Sequence, residues 1–144
     1  MDFYQIVNLA HAGAAILLLA LALSSIALAV LIAVKPAVDS ANAALVKRAN
    51  TAGLIQHIVV GIVALTGVTA AFMGSWSFSQ FWLWSSLVVV AFYSVALEYI
   101  TKPARMAVAE GGSEGKVGLQ VGLQVAHVLL LLVTFAAMLV KPEL

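Results

Sequence analysis

The sequence predicts an all-α integral membrane protein, a single domain folded as a four-helix up-down bundle, and three observations predict it. Of its 144 residues 64% are hydrophobic and 9% are charged, against about half and about a quarter in soluble domains. A soluble fold of this size has no interior large enough for that excess. The apolar residues also fall into four long runs, each near the roughly 20 residues that cross about 30 Å of hydrocarbon. Finally, three of the runs end in a Lys-Pro pair. Lysine reaches up to the headgroups, and proline disfavours helix at the residue before it.

The first span runs from about Ile6 to Val34 and is stopped by Lys35-Pro36. The second runs from about Ala52 to Met73 and ends at Gly74. The third runs from about Phe81 to Thr101, before Lys102-Pro103, and the fourth from about Val117 to Val140, before Lys141-Pro142. Asp39-Ser40 ahead of "ANAALVKRAN" reads as an N-cap followed by good helix formers, so the second helix is expected to start ahead of its span. "EGGSEGK" reads as a flexible turn. The opening Met-Asp-Phe-Tyr-Gln has no basic residue before the apolar run, unlike a secretory signal.

Charge sets the direction. Lys35, Lys47 and Arg48 lie between spans one and two, and Lys102, Arg105 and Lys116 between spans three and four. The positive-inside rule makes that side cytoplasmic. Trp76, Trp82 and Trp84 in "GSWSFSQFWLW" suit the opposite interface as an aromatic belt. The expected location is a bacterial inner (plasma) membrane, with both termini periplasmic. The absence of cysteine excludes disulfides, thiolate metal sites and iron–sulfur clusters. A net charge of +1 gives no basis for nucleic-acid binding. The loops are too short for a catalytic domain, so any chemistry sits within the bundle or at its mouth.

Polar groups within lipid are costly and call for an account. The candidates are His11, Gln56, His57, Glu98, Gln120, Gln124 and His127. At about 1.5 Å of rise per residue, Glu98 and Gln120 lie about 5 Å inside the basic interface, His57 about 8 Å, Gln124 about 11 Å and His127 about 16 Å. His11 lies about 36 Å from Lys35, at the outer interface. Gln120, Gln124, His127, Leu131, Thr134 and Met138 follow steps of four and three, one seam of a helix that should face inward. Gly53, His57, Gly61 and Ala64 form a face of span two with room beside the histidine, and Ala91, Ser94 and Glu98 a face of span three. Together they suggest a polar pocket in the basic half of the bundle. Interhelical hydrogen bonding would also account for the glutamines, and Glu98 could reach Lys102 or Arg48 at the interface.

Three functions fit these residues. The first is a b-type haem in a small cytochrome-b-like protein. His127 and His57 on diagonal helices would be its ligands, Gln120, Gln124 and Glu98 would surround it, and His11 would be the substitute ligand. The second is an outer-face copper site, since His11 with Met73 and Met138 would suit Cu(I). The third has no cofactor: an accessory subunit of a larger membrane complex, its span-four stripe meeting a partner, a quinone or lipid. Gly118 and Gly122 have GxxxG spacing, which serves close helix packing or a homo-oligomer.

"NLAHAGAAILLLA" and "FWLWSSLVVVAFYSVALEYITKPARMAVAEG" resemble the first span and the third span with its basic sequel in HemJ-type protoporphyrinogen oxidases and CopD-type copper-resistance membrane proteins. The resemblance covers about half of the chain. It implies a four-helix haem-associated relative and carries over His11. Trp84, Ser86 and Leu97 stand where the HemJ pattern has a histidine, a lysine and a histidine, so the resemblance implies no oxidase site.

Overall fold

The computed structural model describes residues 1–34, 40–75, 79–109 and 116–140. Helix α1 spans Phe3–Val34, α2 Ser40–Met73, α3 Phe81–Ala96, α4 Lys102–Ala109 and α5 Lys116–Val140, and a π-helical turn over Leu97–Thr101 joins α3 to α4. Four stretches are long and apolar enough to cross a membrane, with α3, the π-turn and the start of α4 acting as one. The chain is therefore an all-α, multi-pass membrane bundle. Lys35-Pro36, Asp39, Trp76, "EGGSE" and Lys141-Pro142 lie outside the described residues.

Each helix begins where its sequence permits. Asp2 and Gln5 cap α1 reciprocally: Gln5 N donates to Asp2 Oδ1 at 2.8 Å and Asp2 N to Gln5 Oε1 at 3.0 Å. This capping box starts the helix at Phe3, ahead of the apolar run. Helix α2 starts at Ser40, as the Asp39-Ser40 signal predicts, and stops at Met73 before Gly74.

The third span departs from expectation. Lys102-Pro103 was expected to end it, but helix continues through Pro103 to Ala109. Proline has no N–H and its ring crowds the carbonyl four residues back. The preceding turn is widened instead of broken, and Lys102 N donates to Leu97 O, five residues back. The extra residue turns Thr101 and Arg105 inward, where both are buried.

Long-range pairs fix the arrangement. His11 meets Val63, and Ser25 meets Gln56, so α1 and α2 are antiparallel. Gln56 meets Tyr93, and Asn50 meets Arg105, so α2 and the third span are antiparallel. Thr101 meets His127, and Leu83 shares a hollow with Met138, so α5 reverses again. Helix α5 contacts α1 and the third span, which leaves α2 on its diagonal, as expected.

The interior holds Leu18, Ala22, Val59, Val60, Tyr93, Leu97 and Leu131. Most of each span faces outward, with at most 33% of its most apolar window buried. Leu65, Phe72, Phe92, Val133 and Leu139 all point away from the bundle, an arrangement stable only in lipid. Outward hydroxyls bond to their own helix, Ser24 to Ala20 O at 2.9 Å and Thr69 to Leu65 O at 2.8 Å, so no bare donor meets hydrocarbon there.

Candidate functional site

Two regions hold the inward polar groups. In the half of the bundle nearer the basic residues, a hydrogen-bonded set joins all four spans. Gln56 Nε2 donates to Ser25 Oγ at 2.6 Å, and Tyr93 Oη donates to Gln56 Oε1 at 2.7 Å. The Tyr93 ring meets the His127 ring edge-on with centroids 4.3 Å apart. His127 Nε2 pairs with Thr101 Oγ1 at 2.9 Å. The seam read on span four is inward: Gln120, Gln124, His127, Leu131 and Thr134 are all buried, and Met138 is half-buried. Among the described residues, both amide atoms of Gln120, Gln124 Oε1 and His127 Nδ1 have no hydrogen-bond partner. Buried polar atoms of that kind are rare.

Exchange of Tyr93 for Phe removes one bond from this set and leaves Gln56 Oε1 unpaired. The expected loss is about 0.6–1.7 kcal/mol, the range for interhelical bonds in membranes. Denaturant unfolding in detergent micelles measures it, and an unchanged midpoint would show that the bond contributes nothing.

The second region surrounds His11, toward the opposite end of the bundle. Its ring Nδ1 lies 3.0 Å from Val63 O and 3.1 Å from Thr66 Oγ1. A carbonyl only accepts, so Nδ1 carries the proton and Nε2 keeps the lone pair. Thr66 Oγ1 donates its own proton to Ile62 O at 2.6 Å, leaving its oxygen free to accept from His11. Gly67 lies directly under the ring: a Cβ there would come within 2.8 Å of His11 Cε1. Glycine is thus required by the approach of the imidazole to α2. Three hollows of about 240, 20 and 400 Å³ adjoin this histidine, and all three are also lined by Met138. The smallest shares Val63 and Val90 with the largest, and Gly67 and Leu83 with the other. The largest is apolar and lies within the range of about 300–1,000 Å³ usual for cofactor and ligand sites.

Several sequence expectations change here. His57 does not face His127 across the diagonal. It is exposed, its Nδ1 is 2.9 Å from Ser94 Oγ, and the α2 side chain turned inward is its neighbour Gln56. One residue of slip rotates a helical side chain by about 100°. Glu98 does not enter the interior. It is exposed and pairs with Lys102 at 3.6 Å, the interfacial outcome allowed by its shallow depth. His11 stands apart from the Gln120–Gln124–His127 seam, while Met138 at the seam's end reaches its hollows. Gly118 and Gly122 are exposed, with nothing within 4 Å of a Cβ at either, so they do not serve packing inside the bundle. Sequence reasoning missed Ser25, Tyr93, Thr101 and Arg105. For span three a signal was present in the 3–4 spacing of Ser86, Val90, Tyr93 and Leu97, a face other than that of Ala91, Ser94 and Glu98. No family model, curated protein or solved structure matches this chain.

Proposed function

We propose that the chain is a small haem-binding membrane protein of electron-transfer type, with its b-type haem in the half of the bundle around His11. The observation that carries this reading is the environment of His11. Its Nδ1–H is held by the Val63 carbonyl, one of the partners that fix the tautomer and ring plane of metal-ligating histidines. Its Nε2 keeps the lone pair, and apolar hollows shared with Met138 adjoin the ring. The donor set fits haem, since imidazole with thioether is an established axial pair that raises the reduction potential. Gly67 lets the ring lie close to α2, and Thr66 limits its rotation. The group itself would supply one-electron transfer. The first-span resemblance points to the same histidine.

His127 and His57 are left out of this proposal. The His127 ring is enclosed by Tyr93 and Thr101, and His57 lies on the outside of the bundle. His127 then serves with Ser25, Gln56, Tyr93 and Thr101 as polar packing that joins the four spans. The same His11 and Met138 donors favour a second reading, Cu(I) bound without haem. A reduced-minus-oxidised optical spectrum of the purified protein tests the first reading. Soret and alpha bands are expected. Their absence, with stoichiometric copper by metal analysis, would replace haem with the copper site. Absence of both would leave an accessory subunit.

Orientation belongs to the same proposal, with the Lys47, Arg48, Lys102 and Arg105 end in the cytoplasm of a bacterial cell and both termini periplasmic. A cysteine at Ala44, exposed at the basic end, is expected to resist a membrane-impermeant thiol reagent in intact cells, and one at Ser79 to react. Labelling at Ala44 with protection at Ser79 would invert the topology.

A further inference from the structure

The basic end of the bundle holds a buried cation that shares its groove with a single carboxylate, Glu98. Arg105 is only 4% exposed. Its Nε and Nη2 both donate to Asn50 Oδ1, at 3.1 and 2.9 Å, and that amide oxygen is neutral. The amide is oriented in turn by a contact from Nδ2 to Met106 Sδ at 3.6 Å. Among the described residues Arg105 has no ion pair, because the groove's carboxylate, Glu98, is taken by Lys102. Burying a charge without an ion pair is costly. A guanidinium is also the group best shaped to grip phosphate oxygens in pairs.

This guanidinium lines a groove of about 510 Å³ between α2 and the third span. Lys47 and Lys102 share the groove with it, so three cations face one carboxylate. His57 and Thr51 add polar groups to the wall. Leu54 and Leu97 add apolar wall on either side of the groove, beside His57 at its inner end. The guanidinium lies close over α2 at Gly53, where a Cβ would sit in ordinary contact 3.5 Å from Nη2. The groove is thus cationic at the interface, with apolar wall from Leu54 and Leu97 beside the cations.

We propose that this groove binds the phosphate headgroup of an anionic phospholipid, with Arg105 as the buried anchor, Lys47 and Lys102 at the rim, and the first methylenes of the acyl chains along Leu54 and Leu97. The shared chemistry is a phosphate oxyanion, which free phosphate also offers. The apolar wall of Leu54 and Leu97 and the interfacial level of the lysines select the lipid. Basic pockets between spans at such an interface are suited to anionic headgroups. The site is separate from the His11 region and stands or falls independently of it.

The test uses the full chain in detergent, with bound lipid counted by native mass spectrometry after titration with phosphatidylglycerol or phosphatidylcholine, and inorganic phosphate as competitor. The wild type is expected to retain phosphatidylglycerol about tenfold better than phosphatidylcholine, consistent with two or more basic contacts. Arg105→Gln is expected to abolish that preference. Lys47→Gln changes an exposed residue that the fold does not need, and is expected to weaken retention about fivefold. Arg48→Gln, a basic change beyond the groove lining, should leave it intact. Equal retention of both lipids by the wild type, or a preference unchanged by both Arg105→Gln and Lys47→Gln, would overturn the site. Displacement of phosphatidylglycerol by millimolar inorganic phosphate would overturn the lipid assignment in favour of a free anion.

Discussion

His11→Ala is expected to abolish the haem spectrum while the protein still inserts, and His127→Ala to leave the spectrum in place. The contrast follows from the surroundings of the two rings. His11 holds one nitrogen against a backbone carbonyl and keeps the other as a lone-pair donor beside apolar hollows. His127 has its Nε2 paired with Thr101 and its ring packed at an edge-on angle against Tyr93. Removing the imidazole would take away the oriented donor that would hold the iron, so the expected effect is loss of bound haem. Met138→Leu would keep the hollow filled and delete the thioether. It is expected to leave haem bound by His11 alone, with an altered ligand-field spectrum and a lower potential. Optical and redox titrations of the three variants, purified side by side, check the assignment. Loss of haem in His127→Ala with His11→Ala unchanged would return the site to the inner seam.

Gly67→Val is expected to have nearly the same effect without touching a donor atom. The smallest side chain possible there already places its Cβ 2.8 Å from His11 Cε1 and 3.3 Å from Nδ1. Such a contact cannot be tolerated, so the ring must swing away from α2. Swinging breaks the bond to Val63 O and leaves Nδ1 free to change its tautomer. Loss of an orienting partner of this kind lowers metal affinity about 10–100-fold, which haem titration of the apoprotein measures. Gly67→Ala meets the same contact with a smaller group and should fall between wild type and Gly67→Val. If Gly67→Val bound haem as tightly as the wild type, the approach of His11 to α2 would have no part in ligation.

The seam of α5 was readable from sequence because it is long and regular. Gln120, Gln124, His127, Leu131 and Thr134 repeat at helical spacing, and a polar stripe in lipid has only one direction in which to turn. The faces of the second and third spans were harder. On α2 two adjacent residues, Gln56 and His57, are both polar, and composition alone did not decide between them. On the third span Ala91, Ser94 and Glu98 form as regular a stripe as Ser86, Val90, Tyr93 and Leu97. The π-turn at Leu97–Thr101 then shifted everything after it by one residue. No periodicity announces that shift, which depends on Pro103 being accommodated rather than ending the helix.

The sequence by itself determined that the chain lies in a membrane, how many times its helices can cross, and where charge gathers. Those properties depend on sums over many residues, and the cost of polar groups in hydrocarbon makes such sums decisive. Tertiary structure alone decided which polar side chains share a site. It separated His57 from His127, brought His11 beside Gly67 and the hollows it shares with Met138, and buried Arg105 against Asn50. Each of these is a matter of helix rotation, where about 100° per residue separates an inward ligand from a lipid-facing one. Rotation is settled by packing between helices, which one helix's own sequence does not contain.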